Sequence, residues 1–341
     1  MHISVMSHFT NEVSAVPSGD LMMSPVNGFK GGLGVALFVF VLGGFPALVN
    51  KTDALSAGIG ALVRKMRGNE LKLIPVLMLI FAILGSTYGF CEETIGFYAL
   101  LSATMMAAGF DALTGAMMVL LGTGGGYLGS TVNPFATGIA ADVLASSGIV
   151  ADQGVVIGLG LVLLVTPYLV SVYFVMRYAK GVKADRSRTI MSADEVAASG
   201  EAYGDAAAAG NQYEPLSHKQ KVVLWLFALS FLVMIVGLSR GVAILIPDTS
   251  SMVTISMPIM GPLTQPLGFN PAIIINVFAS ASGVVNYFTP ANGAIMGGLA
   301  IMGGLALSRV ECGTWLKFVG KVVLVTAIVN VAVLAVAMVV L

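Results

Sequence analysis

Two apolar stretches, each broken by a polar, glycine-rich knot, constrain this chain more than any other feature. The first knot is Gly85-Ser86-Thr87-Tyr88-Gly89, followed by Glu92-Glu93-Thr94; the second is Gly129-Ser130-Thr131-Val132-Asn133-Pro134. The residues around them are 57% hydrophobic and 10% charged over the whole chain, with a mean hydropathy of +0.93. A soluble domain carries about 25% charged residues, so the solvent for these stretches is lipid. Hydrocarbon offers backbone N–H and C=O groups no partners, and irregular backbone survives there only when buried in protein or lining a cavity. Interrupted hydrophobic segments in corresponding halves of a chain mark the binding site of secondary transporters.

The pattern recurs. Aligning Gly109-Phe110-Asp111 with Gly268-Phe269-Asn270 without a gap sets Ser130-x-x-Asn133 against Thr289-x-x-Asn292, and Gly138 falls on Gly297. Reading backward, Glu92–Thr94 falls on Ser251–Val253, beside Pro247-Asp248-Thr249-Ser250. The predicted fold is all-α and polytopic, with inverted repeats that each contain a re-entrant hairpin and a broken transmembrane helix.

In chain order, residues 1–30 form a polar segment without the basic start and apolar core of a signal peptide. The first repeat is read over 31–179. It comprises a span at Leu33–Val49, an amphipathic interfacial helix at Thr52–Met66, and a hairpin descending through Leu73–Leu84 and returning through Ile95–Ala108. A helix over Ala112–Leu128 breaks at Ser130–Pro134 and resumes as Phe135–Ala145, and a full span follows at Val155–Val175. Residues 180–218 read as a cytoplasmic loop, with Tyr203–Gln212 disordered. The remainder, 219–341, holds a central span from Val222 and a shortened second repeat: a returning arm at Met252–Leu267, a helix at Ala272–Tyr287 broken at Thr289–Gly293, and a last span at Phe318–Leu341. Lysine and arginine mark cytoplasmic loops. Placing Arg64/Lys65/Arg67/Lys72, Arg177–Arg188 and Arg309/Lys317 inside gives the two broken units opposite orientations and puts the C-terminus outside.

The candidate ion ligands are Ser130, Thr131, Asn133, Thr289 and Asn292. An unwound helix exposes carbonyls, and neighbouring hydroxyl and amide oxygens complete a cage of hard ligands for a small cation, while the half-helix N-terminus beyond the break favours an anion. The alternative is a kink whose side chains satisfy freed backbone groups. Candidate substrate contacts are Ser86, Thr87, Glu92, Glu93, Thr94, Thr249 and Ser250. The glutamates suit a cationic substrate group or a coupling proton, or they are solvated at a water-reaching tip; the hydroxyls donate to substrate or act as caps. Gly124-x-Gly126-x-x-Gly129 matches a dinucleotide fingerprint by letter but ends an apolar span rather than joining a strand to a helix, so close helix packing is the expected role. Arg240 reads as a snorkelling or interface charge. Cys91 and Cys312 make no disulfide or zinc framework. No HExxH and no serine–histidine pairing lies in the spans, so no enzyme activity and no cofactor are expected. The expected partners are a small-molecule substrate and the lipid bilayer, with a homodimer left open. Net charge is zero, from 17 basic and 17 acidic residues, and nothing points to nucleic acid.

The run EETIGFYALL with GSTVNPFATGIA, then SMVTISMPIMGPL with VNYFTPANGAIMGGLA, resembles the YfcC/DcuC-like anaerobic dicarboxylate carriers of the ion transporter superfamily. The resemblance extends over most of about 30–341. It implies a multi-pass carrier of the cytoplasmic (inner) membrane for small carboxylates or amino acids, driven by a sodium or proton gradient, with substrate held between two hairpin tips and two helix breaks. Family members carry an extra first span and further scaffold spans before the second hairpin. Here Val236-Gly237-Leu238-Ser239-Arg240 runs almost directly into Ile246-Pro247-Asp248, so an internally deleted, non-transporting remnant is the alternative. The adjacent glutamates suit an amino acid better than a dianion.

Overall fold

The computed structural model describes residues 52, 54–66, 68–90, 94–208, 217–226, 229, scattered positions between 253 and 266, 268–287 and 305–341. Among these the chain is helical, without strands. The elements are α1 (Ala54–Lys65), α2 (Glu70–Tyr88), α3 (Ile95–Ala107), α4 (Ala112–Leu128), a π-helical turn (Pro134–Gly138), α5 (Ile139–Ser146), α6 (Gln153–Ala184), a 3-10 turn (Arg186–Arg188), α7 (Ala193–Ala208), α8 (Pro271–Asn286) and α9 (Cys312–Val340). Of these, α2, α6 and α9 are long and apolar enough to cross a bilayer. This is an all-α, polytopic membrane protein.

The hairpin α2–α3 has both ends at one end of the molecule. Glu70 at the start of α2 lies 3.8 Å from Lys183 at the end of α6. The Lys183 ammonium also sits 4.7 Å over the ring of Phe110, in the turn between α3 and α4. Asp111 caps α4 by accepting from Thr114 N at 2.9 Å, and its other oxygen accepts from the hydroxyls of Tyr178 and Thr189. The start of α2, the end of α3, the start of α4 and the end of α6 are therefore gathered together. Chain direction then places the described residues of the hairpin tip (Gly89, Phe90 and Thr94) and the break (129–133) within the bundle, where all are buried.

Lipid tails are as apolar as leucine, so helices in a membrane associate through close packing rather than through water exclusion. The glycines of α4 supply it. A Cβ on Gly126 would stand 2.9 Å from Ser86 N and closer still to the Ala82 carbonyl oxygen. One on Gly129 would stand 2.5 Å from the Leu163 carbonyl carbon and closer to Leu164 N. The glycine spacing on α4 is thus a packing surface, with α2 on one side and α6 on another. Around it Leu77, Met78, Phe81, Met117 and Leu121 are fully buried. The helices α6 and α9 run antiparallel in a fixed register. Thr166 lies 3.4 Å from Asn330, and the rings of Tyr178 and Phe318 are 5.5 Å apart edge to face.

Several sequence expectations change. The Gly85 knot is not a break: α2 continues to Tyr88, and the chain turns at Gly89 in the left-handed region (φ 76°). A glycine within a helix costs only about 1 kcal/mol, and Gly85 lets α2 approach α4, where a Cβ would meet Thr123 O at 2.5 Å. Of the second basic cluster, Arg177, Lys180 and Lys183 occupy the last turns of α6, and Arg186 and Arg188 the 3-10 turn after it. The last span begins at Cys312 rather than Phe318. Tyr203–Ala208, expected to be disordered, belongs to α7. A helix does form over most of the expected Thr52–Met66, as α1 (Ala54–Lys65), with Ile59 buried against the bundle. The span at 33–49, Arg240, Cys91 and the second break lie outside the described residues.

Helix α7 is held by one buried carboxylate. Ser192 and Glu195 form a capping box, with Ser192 N donating to Glu195 Oε2 at 2.6 Å and Glu195 N donating to Ser192 Oγ at 3.2 Å. The same carboxylate accepts from Glu311 N (2.5 Å) and Thr314 Oγ1 (3.0 Å), and so caps α9 as well. Burial pushes this carboxyl up, but the Glu311 and Ser192 N–H groups and the Thr314 and Ser192 hydroxyls more than offset it, leaving it below the usual carboxylate range. Its folded value is depressed, so ionised Glu195 contributes docking stability that is complete above the unfolded value and is lost as pH falls through the folded one. Docking of α7 should therefore be insensitive to pH near neutrality and weaken only in acid. Glu195→Ala should raise hydrogen exchange of the α7 amides about ten- to hundredfold, since buried donors left unmet cost about 1–3 kcal/mol. Unchanged exchange would show that α7 is held by its apolar face alone.

Candidate functional site

The break and the hairpin tip meet. Helix α4 ends at Leu128 and leaves carbonyls without intrahelical partners, as every helix end does. Helix α2 ends beside it at Tyr88. Each end satisfies the other: Ser86 Oγ donates to Gly129 O at 2.7 Å, and Thr131 N donates to Ser86 O at 3.0 Å. The Ser86 and Thr131 hydroxyls lie 3.0 Å apart. These bonds tie positions 43 and 45 residues apart in sequence. Gly160 on α6 lets the break approach, because a Cβ there would stand 2.7 Å from Ser130 O.

Beyond the break the helix restarts on Asn133, whose Oδ1 accepts from Phe135 N at 2.9 Å and whose Nδ2 donates to Ser130 Oγ at 3.2 Å. The Asn133 carbonyl accepts from Thr137 N and Gly138 N, each at 3.0 Å, and from Thr137 Oγ1 at 2.8 Å. A π-turn results, as is frequent at functional sites. The hairpin tip lies against this asparagine, with a Cβ on Gly89 falling 3.0 Å from Asn133 Oδ1. The Tyr88 ring meets Phe135 edge to face at 6.0 Å. Ser86, Ser130, Thr131, Asn133 and Thr137 are all buried. The result is a buried cluster of backbone carbonyls, hydroxyls and one carboxamide between the C-terminal end of α4 and the N-terminal end of the restarted helix. Hard oxygen donors of this kind suit a small cation, and the restarted N-terminus suits an anionic group.

The structure therefore brings together Ser86, Ser130, Thr131 and Asn133. Thr87 lies on the last turn of α2 with its hydroxyl bonded back to Ile83 O at 2.7 Å. Thr94 is buried where α3 begins. Glu92, Glu93, Thr249, Ser250, Thr289 and Asn292 lie outside the described residues. Thr137 was missed by the sequence reading; its only signal is its position four residues after Asn133 in the restarted helix. Two buried asparagines were missed as well. Asn276 on α8 donates to Val156 O at 3.3 Å, and Asn330 on α9 donates to Ser280 Oγ at 2.9 Å. Both stand in apolar runs where a carboxamide is costly unless bonded.

The repeat is visible at the start of its second copy. Gly109 and Gly268 both have positive φ (88° and 71°). Phe110 N donates to Met105 O, and Phe269 N donates to Thr264 O, both at 2.9 Å. Asp111 and Asn270 then cap α4 and α8.

A family model described as C4-dicarboxylate anaerobic carrier matches residues 2–243 and 238–339. The chain belongs to the C4-dicarboxylate anaerobic carrier family. The two matched stretches of this carrier-family chain meet at residues 238–243, beside Ile246-Pro247-Asp248, where the scaffold reads as shortened. An uncharacterized protein of Haemophilus influenzae is 32% identical over 232 residues, covering 65% of this chain and 42% of the relative. The Escherichia coli protein named "Putative basic amino acid antiporter YfcC" is 32% identical over 169 residues, covering 48% of this chain and 32% of the relative. The matches thus span less than half the length of either relative. No solved structure matches.

Proposed function

We propose that this carrier-family chain is an ion-coupled secondary transporter of small carboxylates or amino acids in the cytoplasmic membrane. The observation that carries the reading is the meeting of the hairpin tip with the helix break, Gly89 against Asn133 and Ser86 against Gly129 and Thr131. In this reading Ser130, Thr131 and Asn133, with Thr289 and Asn292 of the second repeat, bind sodium through oxygen, or the coupling ion is a proton. In the same reading Ser86, Thr87, Thr94, Thr249 and Ser250 are the substrate contacts, and Glu92 and Glu93 engage a cationic substrate group or the proton. The name of the Escherichia coli relative supports an amino acid carrying a positive charge, and that of the family supports a dicarboxylate.

The test is uptake of labelled arginine, lysine, succinate and fumarate into proteoliposomes under imposed sodium and proton gradients. Uptake above empty liposomes is expected for one of the two classes. Glu92→Gln or Glu93→Gln should abolish it or move its pH profile while insertion is unchanged. Both glutamine variants behaving as wild type would return the pair to solvated positions at the tip. Absence of uptake for every substrate under both gradients would favour the non-transporting remnant, which the two-part family match also supports.

A further inference from the structure

We propose that the basic ends of α6 and α9 form a binding site for the phosphate headgroup of an anionic phospholipid. A cavity of about 670 Å³ opens there, with Arg177, Arg188, Lys317 and Lys321 around Tyr173 and Phe318. A second cavity, of about 640 Å³, shares Arg177 and Arg188 and adds Lys180. Among the described residues no carboxylate lines either one. The acid paired with a lining cation is Asp185, 3.8 Å from Arg188, with both side chains largely exposed. Such a pair holds its arginine weakly. Asp111, behind Tyr178, is committed to Thr114, Tyr178 and Thr189. Arg177 Nη1 donates to Tyr173 OH at 3.2 Å, which holds the guanidinium level with an exposed tyrosine, the residue type that settles at headgroup depth.

The surfaces leading away from the cavities are those of a lipid site. Lys317 and Lys321 continue along one exposed face of α9 as Leu324, Ile328 and Val331; Arg177 and Tyr173 continue along α6 as Leu169 and Val165. Two apolar stripes thus end in clustered positive charge at the same end of an antiparallel pair. Acyl chains match the stripes and a phosphate diester matches the cations. Basic pockets between membrane helices recognise anionic headgroups in this way. A free phosphate would use the cavities and leave the stripes unexplained.

The experiment uses the full chain in neutral detergent, with lipid retention read by native mass spectrometry. The probes are phosphatidylglycerol and phosphatidylcholine of identical acyl chains, and inorganic phosphate. Phosphatidylglycerol should be retained at least about tenfold more tightly than phosphatidylcholine. Neutralising Arg177 and Lys321 together (R177Q/K321Q) should weaken it about twenty-five-fold, at about fivefold per charge. The control R64Q/K65Q, at the end of α1, should leave it unchanged. Should the double variant insert poorly, a photoactivatable phosphatidylglycerol on the wild-type chain should label 165–188 and 317–331. Equal retention of the two lipids, equal loss in the control, displacement by inorganic phosphate at similar affinity, or labelling confined to other helices would each overturn the site. None of these outcomes depends on transport.

Discussion

Asn133→Ala is expected to raise the half-saturating sodium concentration for uptake by roughly five- to a hundredfold, with substrate affinity recovering at high sodium. The magnitude follows from losing one ligand or buried hydrogen bond, worth about 1–3 kcal/mol, at tenfold per 1.4 kcal/mol. The geometry adds a reason for expecting the upper part of that range. The Asn133 carboxamide is fully buried and does two things at once, capping Phe135 N and holding the Ser130 hydroxyl. Alanine removes an oxygen from the buried cluster and also leaves the restarted helix uncapped, which costs about 1 kcal/mol in itself. Asn292→Ala should behave alike if the repeat extends through the second break. The measurement is uptake over a sodium series at fixed substrate. Wild-type sodium dependence in either variant would remove that break as a sodium site. Loss of substrate affinity at every sodium concentration would instead make it a carboxylate-binding helix end.

Gly129→Ala is expected to prevent normal folding, at a cost on the order of 3 kcal/mol or more, the upper end for overpacking. The added methyl group would meet Leu163 and Leu164 backbone rather than a side chain that could rotate away. Relief requires moving α6 from the break, which also separates the break from the tip, because Ser86 bonds to Gly129 O itself. Gly158→Ala is the control. Gly158 is exposed on α6 with nothing within 4 Å of a Cβ, and alanine is the better helix former by about 1 kcal/mol. The two variants should differ in yield of monodisperse protein and in melting temperature, Gly129→Ala falling and Gly158→Ala equal to or above wild type. A wild-type melting temperature for Gly129→Ala would mean that α4 and α6 are not packed as described.

The sequence by itself determined the class of solvent, the position of the main break and the polar residue types that gather at it. Charge scarcity and apolar length require a membrane. Ser130 to Pro134 cannot continue a helix, since proline removes a donor and glycine before it releases the turn. The hydroxyl and carboxamide types there are those that satisfy freed backbone in a dry place, so Ser130, Thr131 and Asn133 were legible as a set. The repeat was legible because Gly-Phe-Asx makes the same helix end and helix start in both copies.

What only the tertiary structure decided was which groups face one another. Gly85 and Ser86 look like a break by composition, yet a helix continues through them because α4 presents Gly126 at the matching level and close packing outweighs a modest propensity cost. Helix α7 has a polar, alanine-rich sequence, which favours the helix itself but offers little apolar surface to dock it. It is ordered by a carboxylate reaching the start of a helix 116 residues away, a partner that no local pattern contains. The same holds for Asn330, whose partners come from α6 and α8, and for the four cations that α6, the turn after it and α9 place around one cavity. Residue type sets what a group requires of its surroundings; in a protein whose backbone bonds are mostly satisfied within each helix, the third dimension alone sets which distant group supplies it.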